Sequence, residues 1–287
     1  MSARYLSHCC ALCAVVLWSS AYVFTKVALA SFTPATLAFL RCAVAALALL
    51  CVAARRAKSS CRARDWPVFL LSGVLGFSLY LWLFNTGQAG LTAATSCVLI
   101  STAPLITAVM AAALLHERLR PSGWLALALA FAGVLILMLW DGTLSLNDGI
   151  FWSLGAAVCI SGYNLLQRRH AGRCGTLTLT AWSFACAALT LSPFAPEAVR
   201  RFCLAPWTHC CAVVFLGLFP SALAYLLWAK ALSLAKSAGT AAAYMFLTPL
   251  FSLLLGYAVL AEVPGPGTFA GGAVILAGLA LFQRVRN

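Results

Sequence analysis

Several polar and aromatic side chains stand at helical spacing inside strongly apolar stretches. Ser221, Tyr225 and Trp228 are spaced i, i+4, i+7, and Ser78, Trp82 and Asn85 repeat that spacing. Thr240, Tyr244 and Thr248 are spaced i, i+4, i+8, and Trp18 and Tyr22 are i, i+4, so each set shares one helix face. Tyr163 and Asn164 lie in another apolar run, Tyr80 in the run that holds Trp82, and Arg41 several residues inside a further one. Such stripes face protein or water rather than lipid. Two roles fit them: hydrogen bonding between helices, worth ~0.6 kcal/mol per contact, or the lining of a solute cavity by stacking and cation–π contacts. Arg41 fits three: paired hydrogen bonds to a carboxylate or phosphate, snorkelling to headgroups, or helix packing. The expected substrate-contacting set is Trp18, Tyr22, Arg41, Tyr80, Trp82, Asn85, Tyr163, Asn164, Tyr225, Trp228, Tyr244 and Thr248.

Other chemistries find no support. His116-Glu117 would begin an H-E-x-x-H zinc motif, but the second His position holds Arg120. No Cys/His cluster has zinc spacing, no phosphate-cradling glycine loop is present, and neither a cofactor nor direct drive by ATP is expected. A hydrolytic intramembrane enzyme would need a paired acid or a nucleophile with a nearby base. The thirteen cysteines fall mostly inside apolar runs, where Cys packs as a small hydrophobe. No acid lies deep in any span, since Glu117 and Glu262 sit at helix ends, so facilitated diffusion or exchange is the expected energetics and the two acids are expected to cap or pair.

The elements that must position these residues are membrane helices. The chain has 287 residues, of which 63% are hydrophobic and 9% charged. Ten apolar segments can be marked: Cys9–Leu29, Pro34–Ala54, Trp66–Thr86, Ala93–Leu115, Ser122–Trp140, Gly149–Gln167, Thr176–Phe194, Trp207–Leu232, Gly239–Leu260 and Gly267–Phe282. The first is longer than the apolar core of a signal peptide and is expected to be retained. Trp66, Trp140 and Trp207 near segment ends suit interfacial anchoring. Gly267 and Gly271 form a G-x-x-x-G suited to close packing, within the chain or against another copy.

With the N-terminus inside, nearly all Lys and Arg fall on cytoplasmic connections; Lys26, Arg200 and Arg201 fall outside. This bias puts both termini in the cytoplasm. It also accounts for the net charge of +13 through contact with anionic lipid, and nucleic acid is not an expected partner.

The stretch from Tyr80 to Gly133 recurs without a gap as Tyr225 to Gly278, at an offset of about 145 residues. Tyr80 falls on Tyr225, Pro104 on Pro249, Glu117 on Glu262 and Gly133 on Gly278. Five helices per half is an odd number, so the second half enters the membrane inverted. That architecture places a site near the midplane between the halves. Pro104 and Pro249 disrupt hydrogen bonding at Ile100 and Met245 and are expected as structural kinks or paired hinges. Specificity is expected where the copies differ: Leu99 against Tyr244, Ala103 against Thr248, Asn85 against Lys230.

These features together resemble a ten-helix member of the drug/metabolite transporter superfamily with two EamA-type repeats. The resemblance rests on the Pro104-centred helix ending in Leu115-His116-Glu117-Arg118-Leu119, on the Gly133 helix after it, and on their echo from Thr248-Pro249-Leu250 through Glu262 to Gly278. Trp18-Ser19-Ser20 and Arg41 suit the first repeat. The second departs, with Val263-Pro264-Gly265 where the first has basic residues. The resemblance implies an all-α membrane protein of two inverted repeats, residues 1–142 and 143–287. It would be a secondary transporter or facilitator of a small organic metabolite in a bacterial inner membrane, contacting lipid, as a monomer or weak homodimer. An amino acid, an aromatic one above all, or a similar solute suits the ring-rich set, and export is common in the family. A nucleotide-like solute, such as a nucleotide sugar or S-adenosyl compound, and a non-transporting scaffold are the alternatives.

Overall fold

The computed structural model describes residues 3–55, 65–115, 121–140, 148–169, 175–234 and 243–286. Every regular element among them is helical. Inside a bilayer the backbone must satisfy its own polar groups, and an uninterrupted helix does so. Six stretches are long and apolar enough to cross: Tyr5–Leu29, Pro34–Arg55, Trp66–Gly90, Ala93–Leu114, Asp148–Gln167 and Trp207–Trp228. A further pair, Leu177–Thr190 with Ser192–Leu204, is bent by 56°, and Pro121–Ile136, Leu247–Leu260 and Pro266–Leu281 are shorter apolar helices. The chain is a multi-pass integral membrane protein. His116, Glu117, Arg118, Arg120 and Thr240 lie outside the described residues.

Helix α1 is Ala3–Leu29 and α2 is Pro34–Arg55. The third stretch is α3 Trp66–Gly73, a π-helical segment Val74–Ser78, and α4 Leu79–Gly90. The fourth is broken after α5, Ala93–Ile100, and resumes as α6, Ala103–Leu115. Helix α7 is Pro121–Leu139 and α8 is Asp148–Arg169. Next come α9, Thr176–Thr190, a 3-10 turn at Ser192–Phe194 and α10, Ala195–Leu204. The eighth stretch is α11 Trp207–Leu216, a second π segment Gly217–Leu223, and α12 Ala224–Leu234. A 3-10 turn at Ala243–Phe246 precedes α13, Leu247–Leu260, and α14 is Pro266–Arg286.

Three local findings differ from the sequence expectation. Both π segments interrupt runs expected to be continuous α-helix. The first ends at Ser78 and the second at Leu223, each two residues before a member of the Tyr80/Tyr225 pair. Helix α10 lies in what was expected to be a connection; Pro193 ends the preceding helix, and Glu197 pairs with Arg201 one turn on, Nε to Oε1 at 2.7 Å. The breaks near Pro104 and Pro249 fall on Ser101–Thr102 and on Ala243–Phe246, so the expected Tyr244–Thr248 stripe crosses from a 3-10 turn into an α-helix.

Contacts run between the two copies of the repeat. Helix α1 packs on α12 and α13, and α8 packs on α4, α5 and α6. Helix α2 packs on α9, and α7 lies along α14. In this last seam the backbones touch. A Cβ at Gly133 would stand 2.6 Å from Ile275 Cγ1 and 2.7 Å from the Gly271 carbonyl oxygen, and one at Gly278 would stand 2.8 Å from the Ala126 carbonyl oxygen. The Gly267/Gly271 motif therefore packs within the chain, where Gly267 faces the Trp140 ring. Small residues at such a seam supply dispersion contact where lipid offers no hydrophobic drive. The buried cysteines, Cys42, Cys97 and Cys186 among them, are free thiols in apolar packing.

Gly133→Val and Gly278→Val are each expected to destabilise the fold by about 1–3 kcal/mol through overpacking. Thermal unfolding of detergent-solubilised protein checks this: both midpoints should fall, and unchanged midpoints would mean the seam is looser than described.

Candidate functional site

The stretches α1, α2, α3–α4, α9 and α11–α12 bring most of the singled-out side chains to one region. Trp18 meets two rings of α12: Tyr225 edge-on at 5.6 Å between centroids and Trp228 at 5.3 Å. Helical spacing makes this possible, because Tyr225 and Trp228 are three residues apart and stand over the same face. Tyr225 is also approached by Phe77 at 5.6 Å and Phe184 at 6.1 Å. Rings from α1, the first π segment and α9 thus enclose Tyr225, yet it stays only half-buried, as do Tyr80, Trp18 and Trp228.

Arg41 approaches the same group of side chains from α2. It is 6% exposed, and its Nε donates to Ser221 Oγ at 2.9 Å. It does not snorkel. Tyr80, Cys42, Tyr225 and Tyr22 stand within its electrostatic reach. Its partner Ser221 lies in the second π segment. That segment seats closely on α2, where a Cβ at Gly217 would stand 2.5 Å from Val44 Cβ. A π turn re-aims the side chains beyond it and is often found at functional sites.

Tyr163 of α8 joins through Phe77 at 5.2 Å, and its hydroxyl accepts from Gln167 Nε2 at 2.6 Å. Tyr22 packs edge-on to Phe84 at 5.3 Å, and Tyr80 stacks on the same ring at 5.8 Å. Gln88 Nε2 donates to the Tyr22 carbonyl at 2.8 Å.

Five expected site residues are exposed or engaged in other contacts. Trp82 is 44% exposed; a four-residue step overshoots a full turn by about 40°, which carries its large ring to the shoulder of the stripe. Asn164 is exposed, because neighbours on a helix are about 100° apart and Tyr163 takes the inner position. Asn85 is buried with Nδ2 donating to the Pro34 carbonyl at 2.9 Å. Tyr244 pairs with His8, hydroxyl to Nδ1 at 2.9 Å. Thr248 is buried and contributes its carbonyl, which accepts from Ser19 Oγ at 3.1 Å.

That last bond has a twin. Ser161 Oγ donates to the Ala103 carbonyl at 2.8 Å. Ala103 and Thr248 are the residues just before Pro104 and Pro249, so each half sends a serine to the pre-proline carbonyl of the other. Each serine also reaches its own i−4 carbonyl, Ser19 to Val15 at 2.8 Å and Ser161 to Ala157 at 2.6 Å. Sequence reading missed this pair, as it missed Phe77 and Phe184. Setting Ser19 beside Ser161 when the first helices of the halves were matched would have found the serines. Nothing distinguished those two phenylalanines among seventeen.

At one end of the bundle Glu262 joins two helices. Glu262 accepts from Lys26 Nζ with Oε1 and from the Ala93 backbone N–H with Oε2, the latter at 2.8 Å. One carboxylate so pairs with α1 and caps the start of α5. The preceding Ala261 has φ 51°, a left-handed conformation costing an L residue about 1–2 kcal/mol, which turns Glu262 back over the bundle.

A model of the EamA-like transporter family matches residues 6–139 and again residues 147–283. The chain is 31% identical over 270 residues to a probable terminal-alkyne amino-acid exporter of Streptantibioticus cattleyicolor, covering 94% of this chain and 91% of that protein. It is 27% identical over 282 residues to the S-adenosylmethionine/S-adenosylhomocysteine transporter of Chlamydia trachomatis, covering 91% of this chain and 84% of the transporter. A solved crystal structure matches with a TM-score of 0.64 over 98% of both chains at 21% identity, a likeness of fold. With a family match in both halves and relatives that are transporters along nearly their whole length, the chain belongs to the EamA-like transporter family and is a membrane transporter, not an enzyme.

Proposed function

We propose that this transporter moves a small ring-bearing amino acid, or a solute of like chemistry, by alternating access through the cleft between its halves. The observation that carries this reading is the box formed by Trp18, Tyr225 and Trp228, accessible yet enclosed. Aromatic faces hold a ring by offset or edge contact and an ammonium by cation–π attraction. Tyr80 is half-buried beside it, and Tyr22 and Tyr163 are buried in the packing around it. The amino-acid exporter among the relatives supports the substrate class. The S-adenosyl transporter supports a second reading, since a sulfonium also suits aromatic faces.

The reading takes the chain as ten spans in two inverted repeats, 1–142 and 143–287, with both termini cytoplasmic in a bacterial inner membrane. The cross-packing of α1 on α12 and α13, and of α8 on α4 to α6, supports this, because the two sets correspond under the repeat. Inverted repeats allow two states related by exchanging the conformations of the halves. A contact present in both halves survives that exchange and serves as a pivot, as the two serine bonds beside Pro104 and Pro249 do. A contact that shuts one end must break, and Lys26–Glu262 ties α1 to the segment after α13 at the outer end in this state.

Tyr225→Ala and Trp228→Ala should each lower uptake of L-phenylalanine into proteoliposomes severalfold without lowering membrane insertion; unchanged uptake in both would remove α12 from the path. In a background with the exposed cysteines replaced by serine, the pair Lys26→Cys with Glu262→Cys should oxidise to a cross-link that stops transport until a reductant is added. Full transport by the cross-linked protein would show that this end need not open.

A further inference from the structure

Arg41 carries a nitrogen with no hydrogen-bond partner in a place where an unpaired donor is expensive. The residue is 94% buried by the exposure given above, its Nε is bonded to Ser221 Oγ, and its Nη1 is buried without a hydrogen-bond partner. Among the described residues the ion pairs are Lys26–Glu262 and Glu197–Arg201, and neither reaches Arg41. No carboxylate is among the groups that act on it electrostatically. A guanidinium stays charged at every accessible pH, so it cannot escape the penalty by losing its proton, as a buried lysine does. Burying an unpaired charge costs several kcal/mol even after relaxation. A packing role alone would be filled by an apolar side chain without that cost.

Its mounting is rigid. Arg41 sits seven residues into α2, roughly 10 Å along the axis. The bond to Ser221 ties it to the second π segment, whose glycine floor at Gly217 lies against Val44 of the same α2 face. The guanidinium plane is therefore fixed by groups of both halves, while Nη1 is left to serve something else. Tyr80 and Tyr225, the repeat-related pair, are two of the hydroxyls that stand in its field.

We propose that Arg41 is the anion anchor of the transported solute, with Nη1 donating to a carboxylate of the substrate. Building on the substrate reading above, this defines the substrate class further as a carboxylate-bearing solute whose ring or ammonium rests against Trp18, Tyr225 and Trp228. A charge-assisted bond of this kind is short and directional, and it selects the acid over its amide, since an amide brings no charge to balance the guanidinium. Ser221 is a positioning residue: it orients the guanidinium without touching the solute.

The test compares acid and amide in purified protein in proteoliposomes. Uptake is followed for a panel of labelled amino acids and S-adenosylmethionine, each against competition by L-phenylalanine and by L-phenylalaninamide. Wild-type protein should be competed by the acid and not by the amide. Arg41→Gln should raise KM for a transported acid by about ten- to a hundredfold, leave kcat within a few-fold, and lose the preference of acid over amide. Arg41→Lys should keep that preference at an intermediate KM, and Ser221→Ala should weaken it with Arg41 intact. The unfolding midpoint of each variant separates loss of fold from loss of binding, and if Arg41→Gln does not fold, the Lys and Ser221 variants decide. Acid and amide competing equally in wild type, or an unchanged preference in Arg41→Gln, overturns the anchor and leaves the transport reading standing. Wild-type protein that carries no member of the panel overturns the substrate reading and the anchor with it.

Discussion

Inside hydrocarbon a polar group must find its partner within the protein, and the irregular parts of this chain are arranged around that requirement. Its membrane helices are broken near Pro104 and Pro249 and loosened into π turns before Tyr80 and Tyr225. Side chains attend the breaks. Ser101 and Thr102 hydroxyls donate to the Cys97 and Leu99 carbonyls at 2.8 and 2.7 Å, and Ser19 and Ser161 reach across to the pre-proline carbonyls. The breaks thus sit where protein from the opposite copy of the repeat can supply a donor.

Symmetry divides the contacts into two kinds. Ser19 to Thr248 and Ser161 to Ala103 are the same bond made twice, and the two π segments occupy matching places in their halves. Lys26, Glu262 and the Ala93 amide form a contact of another kind, which ties α1 and α5 to the segment after α13. In the polar interior Arg41 and Ser221 come from different halves and meet once.

Much of this was legible from residue order. The repeat, the apolar segments and the importance of both prolines can be read off one sequence, since Pro, Tyr and Glu are scarce in so apolar a chain. Trp18, Tyr225 and Trp228 were marked by spacing alone, and they meet. What was not legible has physical causes. The first π segment, Val74–Ser78, contains no proline and nothing else that marks an added residue in the turn, although its counterpart holds Pro220. The Trp82 and Asn164 expectations failed on angle, since a stripe drawn at i, i+4, i+7 is some 60° wide and the burial of a bulky ring depends on which shoulder it occupies. The pairing of Tyr244 with His8 joins residues 236 apart in sequence, which no local pattern encodes.

The glycine seam between α7 and α14 bears on how the molecule is made. Gly133 receives Ile275 and Gly278 receives the turn around Ala126, so each helix is the mould of the other. A ribosome delivers α7 well before α14 emerges, the last helix of the described chain. Until then the flat face of α7 has only lipid tails against it, and tails conform to such a face as readily as to any other. The later helix consequently locks one threaded near the middle, and a chain interrupted before Pro266 lacks that contact.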